Sequence, residues 1–136
     1  MCLCIYIGSP HELPLVPWAK SDPGFHVDLL DPEDGTYATI MERLNTTHIY
    51  QLGGYMGCAC PLFYSPRYES DLSERIHDVR AMLEYLMLQL SEGPLKLFAT
   101  SWDEFPEVYP QRSFTLMQPV DGSFEFPENE VLELER

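Results

Sequence analysis

Four cysteines fall in this 136-residue chain as two Cys-x-Cys pairs, Cys2/Cys4 and Cys58/Cys60, and no other pattern in it is as specific. On a β-strand, residues i and i+2 point to one face. Each pair would then present its thiols together, and if the two segments were neighbours in a sheet, four thiols would converge. Deprotonated, such a set holds Zn²⁺ tetrahedrally as a closed thiolate site, with Cu(I) as a softer alternative. Two considerations pull the other way. Cysteine is among the most buried residue types and often simply packs. Structural zinc sites also tend to space their cysteines by two to four residues rather than one. Buried free thiols, a metal site using Cys2, Cys4, Cys58 and Cys60, and redox or disulfide chemistry all stay open.

Cys2 offers a second chemistry. With Met1 removed, its own α-amine would stand beside its thiol and serve as base for that nucleophile. The Met1-Cys2 start resembles that of amidotransferases and other N-terminal-nucleophile hydrolases, which implies a Cys2-dependent hydrolase. The chain is short for the two packed sheets of that fold, and no oxyanion-hole motif follows. His11, seven residues after Cys4, and His48, ten before Cys58, could each join a thiolate site, but like His26 and His77 they lie outside ligand spacing and read first as hydrogen-bonded structural histidines. No Ser/His/Asp arrangement, P-loop, dinucleotide fingerprint, His-Glu-x-x-His or EF-hand pattern occurs. Gly53-Gly54-Tyr55-Met56-Gly57 is glycine-rich but lacks the lysine and helix start that a phosphate needs, and reads as a turn.

The remaining candidate surface is acidic. The chain carries 22 Asp and Glu against 8 Lys and Arg, a net charge of −14. That sign opposes phosphate neutralisation on nucleic acid and adhesion to anionic lipid. It suits either solubility or electrostatic steering toward a basic protein partner. Trp102 beside Asp103, Glu104 and Glu107 places an aromatic anchor next to an acidic cluster, so these four residues are the candidate partner-binding site.

The elements that must position these groups follow from patterning. Residues 2–7 are apolar and β-branched or aromatic, ended by Gly8-Ser9-Pro10, and predict a buried strand. A proline-bearing loop follows, then alternation over 25–29 predicts another strand. Asp31-Pro32 reads as a turn or as a helix start, with Asp31 as the cap and Pro32 at the first helical position. Tyr37, Ile40, Met41 and Leu44 share the face of a short helix that Asn45 can end. Residues 47–52 predict a strand. The spacing of Leu72, Ile76, Val79, Leu83, Leu86 and Leu90 predicts a long helix over about 70–91, with Asp71 and Glu74 as a capping box in outline and Gly93-Pro94 as its stop. Strands are expected over 95–102, around Phe114 and Leu116, around Phe124 and Phe126 after an Asp121-Gly122 hairpin turn, and over 131–135. The order predicts a single α+β domain spanning 1–136, a mainly antiparallel sheet with one long helix packed on a face and one short helix.

The start MCLCIYIGSP, the segment HIYQLGGYMGCAC and the stretch Ser101-Trp102-Asp103-Glu104 resemble small uncharacterised bacterial proteins; the resemblance implies a bacterial cytosolic setting and no particular catalysis. In size, charge and α+β character the chain more loosely resembles bacterial toxin-immunity and antitoxin proteins. No secretory signal pattern and no run of about 18 apolar residues is present, so the expected location is the cytoplasm, away from membranes. The leading expectation is a non-enzymatic acidic interaction protein with no cofactor. The rivals are a thiolate zinc protein and the Cys2 hydrolase.

Overall fold

A computed structural model describes residues 2–101, 107, 109–116 and 123–136. The strands are β1 (Leu3–Ser9), β2 (His26–Leu29), β3 (His48–Gly53), β4 (Lys96–Ser101), β5 (Gln111–Thr115) and β6 (Val131–Glu135). The helices are α1 (Tyr37–Leu44) and α2 (Leu72–Leu90). One six-stranded sheet runs in the order β2-β3-β1-β4-β6-β5, antiparallel throughout except for the β5–β6 pair. This is the expected α+β architecture, with one long and one short helix. Among the described residues no helix is long and apolar enough to cross a membrane.

Alternation on the central strands builds two layers. Ile5 pairs with Leu52 and Ala99, and Ile7 with Tyr50 and Leu97, so all six project to one face. There they meet Val79, Met82, Leu83 and Leu86 of α2 in the larger core. Tyr6 and Phe98, partners across β1 and β4, project to the other face. They pack with Ile40 and Leu44 of α1, Leu30, Ile49 and Val131. The sheet therefore carries α2 on one side and α1 on the other.

The short helix covers only part of its face. Its eight residues span about 12 Å, and it ends at Asn45 in the left-handed conformation (φ 48°, ψ 50°), as the sequence suggests. A Cβ built at Gly8 would lie 3.0 Å from Leu44 Cβ and would collide with Thr46 Oγ1. Glycine at position 8 therefore lets the end of α1 sit down on the Ser9 end of β1. The opposite end, where Cys4 and Gln51 lie, is left uncovered by α1.

Three local expectations are corrected. Asp31 does not cap α1: its carboxylate accepts from the Glu33 N–H at 2.9 Å and closes a turn, and the helix begins after Thr36. Asp71 precedes α2 but makes no side-chain capping bond, because Tyr55 and Arg75 take its carboxylate. The Phe124–Phe126 segment does not fold back on β5. Phe124 exchanges two backbone hydrogen bonds with Tyr64 instead, and β5 pairs in parallel with β6; Asp121-Gly122 lies outside the described residues.

The wide buried face of α2 makes a sharp stability contrast. Leu86 is fully buried in the larger core, whereas Leu88, two residues on, is 62% exposed. Leu86→Ala is expected to lower unfolding stability by about 2–5 kcal/mol. Leu88→Ala should stay within about 0.5 kcal/mol of the parent. Urea titration of both variants checks the orientation of the helix.

Candidate metal centre

Sheet register decides which parts of the chain can meet. β1 pairs with β3 from Ile5↔Leu52 to Ser9↔His48. One step further, Cys4 comes level with Gly53, the last residue of β3. The chain leaving β3 therefore passes the beginning of β1, and it carries the second cysteine pair.

That chain does not stay extended, as a strand-borne Cys-x-Cys would require. It turns tightly over Gly54–Gly57, with the Gly57 N–H donating to the Gly54 carbonyl at 3.0 Å and the Gly54 N–H donating to the Cys58 carbonyl at 2.8 Å. Gly57 has φ +88°, a conformation that side chains resist. Gly54 is required for a different reason: a Cβ there would lie 2.7 Å from Pro61 and 2.8 Å from the Asp78 carboxylate. The chain then enters a 3-10 turn over Cys60–Leu62. Cys58 and Cys60 thus stand on a coiled knuckle folded over the strand's beginning.

The result is a cluster of three sulfurs. The thiols of Cys2, Cys58 and Cys60 all lie within 4.8 Å of one another, Cys2 exposed and the other two partly buried. The Leu3 N–H donates to Cys60 Sγ at 3.3 Å. Cys4, the fourth member predicted from sequence, is not in that set. Its side chain projects to the α1 face and is hydrogen-bonded with the Tyr6 hydroxyl. Burial pushes the Cys4 thiol up, the Tyr6 contact opposes this, and the three neighbouring thiols add to the rise.

Two charged residues of α2 hold the knuckle from behind. Arg75 donates from one terminal nitrogen to the Cys60 carbonyl at 2.9 Å and the Phe63 carbonyl at 3.4 Å, and from Nε to Asp71 at 2.7 Å. Its guanidinium lies 4.0 Å from the centre of the Tyr68 ring. Asp78, 1% exposed, accepts from the Tyr55 N–H at 2.7 Å. Burial pushes the Asp78 carboxyl up, partly offset by the backbone N–H groups of Tyr55 and Phe25 and by His77 and His26. Asp71 is held below its usual range, first by the hydrogen bond from the Tyr55 hydroxyl and then by Arg75. Burial, with that same bond behind it, pushes Tyr55 up to about 12.

Beside the sulfurs, the uncovered end of the α1 layer opens as a pocket of about 320 Å³. Cys2, Cys4 and Cys58 line it together with Tyr6, Gln51, Thr36 and Asp34. Tyr6 and Gln51 are cross-strand partners, so their side chains stand side by side. Asp34 and Thr36 belong to the turn before α1, where the Thr36 hydroxyl donates to Asp34 at 2.7 Å. That bond, with the Thr36 N–H behind it, keeps the Asp34 carboxyl below its usual range. Tyr6 is itself hydrogen-bonded to both Thr36 and Cys4, and burial raises its pKa strongly.

The other sequence candidates lie elsewhere. His48 pairs with Ser9, at the far end of β1 from Cys2, and His11 contacts the Ser9 hydroxyl at 3.1 Å. Neither reaches the sulfurs. Trp102, Asp103 and Glu104 lie outside the described residues, while Glu107 is exposed. Arg75 and Asp78 were the supports that sequence reading missed. Their signal was present: Asp71, Arg75, Asp78 and Met82 follow one another at helical spacings of four, three and four.

No protein-family model matches the chain, and no curated protein or solved structure is significantly similar to it.

Because burial raises the Asp78 pKa above its ordinary value of 3.8, the folded state holds that proton more tightly than the unfolded state. Its contribution is fully present below 3.8 and is lost as the pH rises through the folded value. Asp78→Asn removes the charge and is expected to be more stable than the parent near pH 7. That advantage should shrink toward about pH 3.5, below the ordinary carboxylate value. Urea titrations at the two pH values decide it; a constant difference would remove buried charge as the cause. Asp71, whose shift has the opposite sign, is common to both proteins and cancels.

Proposed function

We propose that this protein binds one Zn²⁺ ion through the thiolates of Cys2, Cys58 and Cys60. The observation that carries the reading is the meeting of three sulfurs, from segments more than fifty residues apart, within 4.8 Å. Tetrahedral zinc with bonds near 2.3 Å places its sulfurs roughly 3.8 Å apart. Side-chain movement of about an ångström therefore closes the set on an ion. The Leu3 N–H to Cys60 and the Arg75 clamp on the Cys60 carbonyl are the outer contacts that orient a ligating thiolate. An ion there would join the beginning of β1 to the knuckle after β3 and so stabilise the folded chain that holds it.

The rival reading, an acidic surface that steers a basic protein partner, retains the net charge of −14 as its support. Glu107 is its one described anchor. The sulfur cluster has geometry behind it and takes precedence.

Protein purified without chelator is expected to carry one zinc per chain by elemental analysis, with the cluster thiols slow to react until denaturant is added. Cys2→Ser, Cys58→Ser and Cys60→Ser should each weaken zinc binding by at least about tenfold, the loss that follows removal of even an outer-shell partner. Cys4→Ser should keep the stoichiometry. Zinc at a hundredfold excess over its Kd should add about 2.7 kcal/mol to stability, raising Tm by roughly 10 °C for a chain of this size. No metal, no thermal shift and four freely titrating thiols would overturn the reading.

A further inference from the structure

We propose that the ion held by Cys2, Cys58 and Cys60 keeps an open coordination position facing the adjoining pocket, and that this position takes a small amine-bearing thiol. The inference rests on the zinc reading and deepens it. Three protein ligands leave a tetrahedral ion one position short, the arrangement of sites that accept an outside ligand. Cys4 is the residue that would close it, and its side chain is engaged elsewhere: it meets the Tyr6 hydroxyl and falls outside the set of sulfurs that lie within 4.8 Å of one another. Cys2 and Cys58 belong both to that set and to the pocket wall, so an ion between them borders the roughly 320 Å³ space.

The chemistry of the wall selects the occupant. A thiolate-rich ion prefers another soft sulfur donor. Further out, the pocket offers the Asp34 carboxylate, the Thr36 hydroxyl and the Gln51 amide, and among the described residues no cationic side chain lines it. Three thiolates on Zn²⁺ leave the centre with a net negative charge, which with Asp34 disfavours an anionic tail and favours an ammonium. A chain of two or three carbons between sulfur and nitrogen fits the volume. On binding, the thiol sulfur bonds to the ion as its S–H bond breaks, and the proton passes to solvent. No redox change is involved.

Cobalt(II) replaces zinc as a visible probe, because its absorption bands report how many sulfurs surround it. Cobalt-loaded protein titrated with cysteamine should show a saturable rise of the sulfur-to-cobalt band, one thiol per chain, with cobalt retained on gel filtration. 3-Mercaptopropionate, whose tail is anionic, should bind more weakly by about two- to fivefold, the range for an exposed charge contact. Asp34→Asn should narrow that gap, and Cys4→Ala should leave the starting spectrum unchanged. One cobalt per chain whose spectrum ignores both thiols, or which they strip away, would overturn this inference while leaving the metal reading intact. A four-sulfur spectrum that Cys4→Ala converts to a three-sulfur one would do the same, by placing Cys4 on the ion. If cobalt does not bind at all, both fall together, and elemental analysis already distinguishes that case.

Discussion

The antiparallel register of β1 against β3 is the constraint on which the rest of this molecule depends. Ile5 opposite Leu52 and Ile7 opposite Tyr50 place four large side chains on the α2 face. A slip of one residue would turn each of them out of that core. The same register brings the end of β3 level with the beginning of β1, and the chain that follows β3 turns there beside Leu3, whose N–H reaches Cys60. Proximity of the two cysteine pairs is thus a by-product of core alternation. It needs no affinity between the thiols themselves, and the apo-protein can assemble the sulfurs before any ion arrives. That is preorganisation in the sense that lowers the ordering cost of binding.

What α2 contributes beyond apolar packing runs against simple stability. Arg75 and Asp78 are 7% and 1% exposed, on the same helical face as Met82. Burying a charge is costly, and replacing such groups with apolar residues of similar volume often stabilises a protein. Here both are satisfied by the backbone of the segment that carries the cysteines. Arg75 bonds the Cys60 carbonyl, and Asp78 bonds the N–H of Tyr55 at the head of the glycine turn. The two residues thereby fix both ends of the knuckle to a rigid helix. Stability is spent on placing the loop, which is the usual compromise where a site must be held to a fraction of an ångström.

The sequence was legible where periodicity is strong and opaque where a tertiary contact takes a local group. The leucine stripe gave α2 within two residues of its observed ends, and Asn45 gave the end of α1. The capping box failed because Tyr55 and Arg75, whose approach no local pattern announces, compete for the same Asp71 carboxylate. The hairpin after β5 failed for a similar reason: Tyr64, some sixty residues earlier, captures Phe124. The cysteines sit between these cases. Their pairing pointed to segments that do bring three of the four thiols together, but the argument from strand geometry picked the wrong mechanism of convergence. Cys2 precedes the strand, Cys58 and Cys60 ride a turn, and only Cys4 obeys strand alternation; its thiol neighbours the other three across the pocket but stays outside their cluster.

The excess of carboxylates then takes on a different physical meaning. A net charge of −14 on 136 residues creates a negative potential around the molecule, and such a field concentrates any cation, a metal ion as well as a basic protein. Carboxylates are hard donors and bind zinc weakly one at a time, whereas clustered thiolates are soft and bind it tightly. On the zinc reading, a field that gathers divalent ions over the whole surface and a sulfur cluster that retains them at one point would be complementary parts of one capture process. They also differ in their dependence on ionic strength, because screening acts on the long-range field and hardly on bonds to the ion. The arrival rate should therefore fall as salt rises while the residence time stays nearly constant. A basic protein held by the acidic surface behaves otherwise: its contacts are themselves the exposed charges, so salt would weaken capture and retention together.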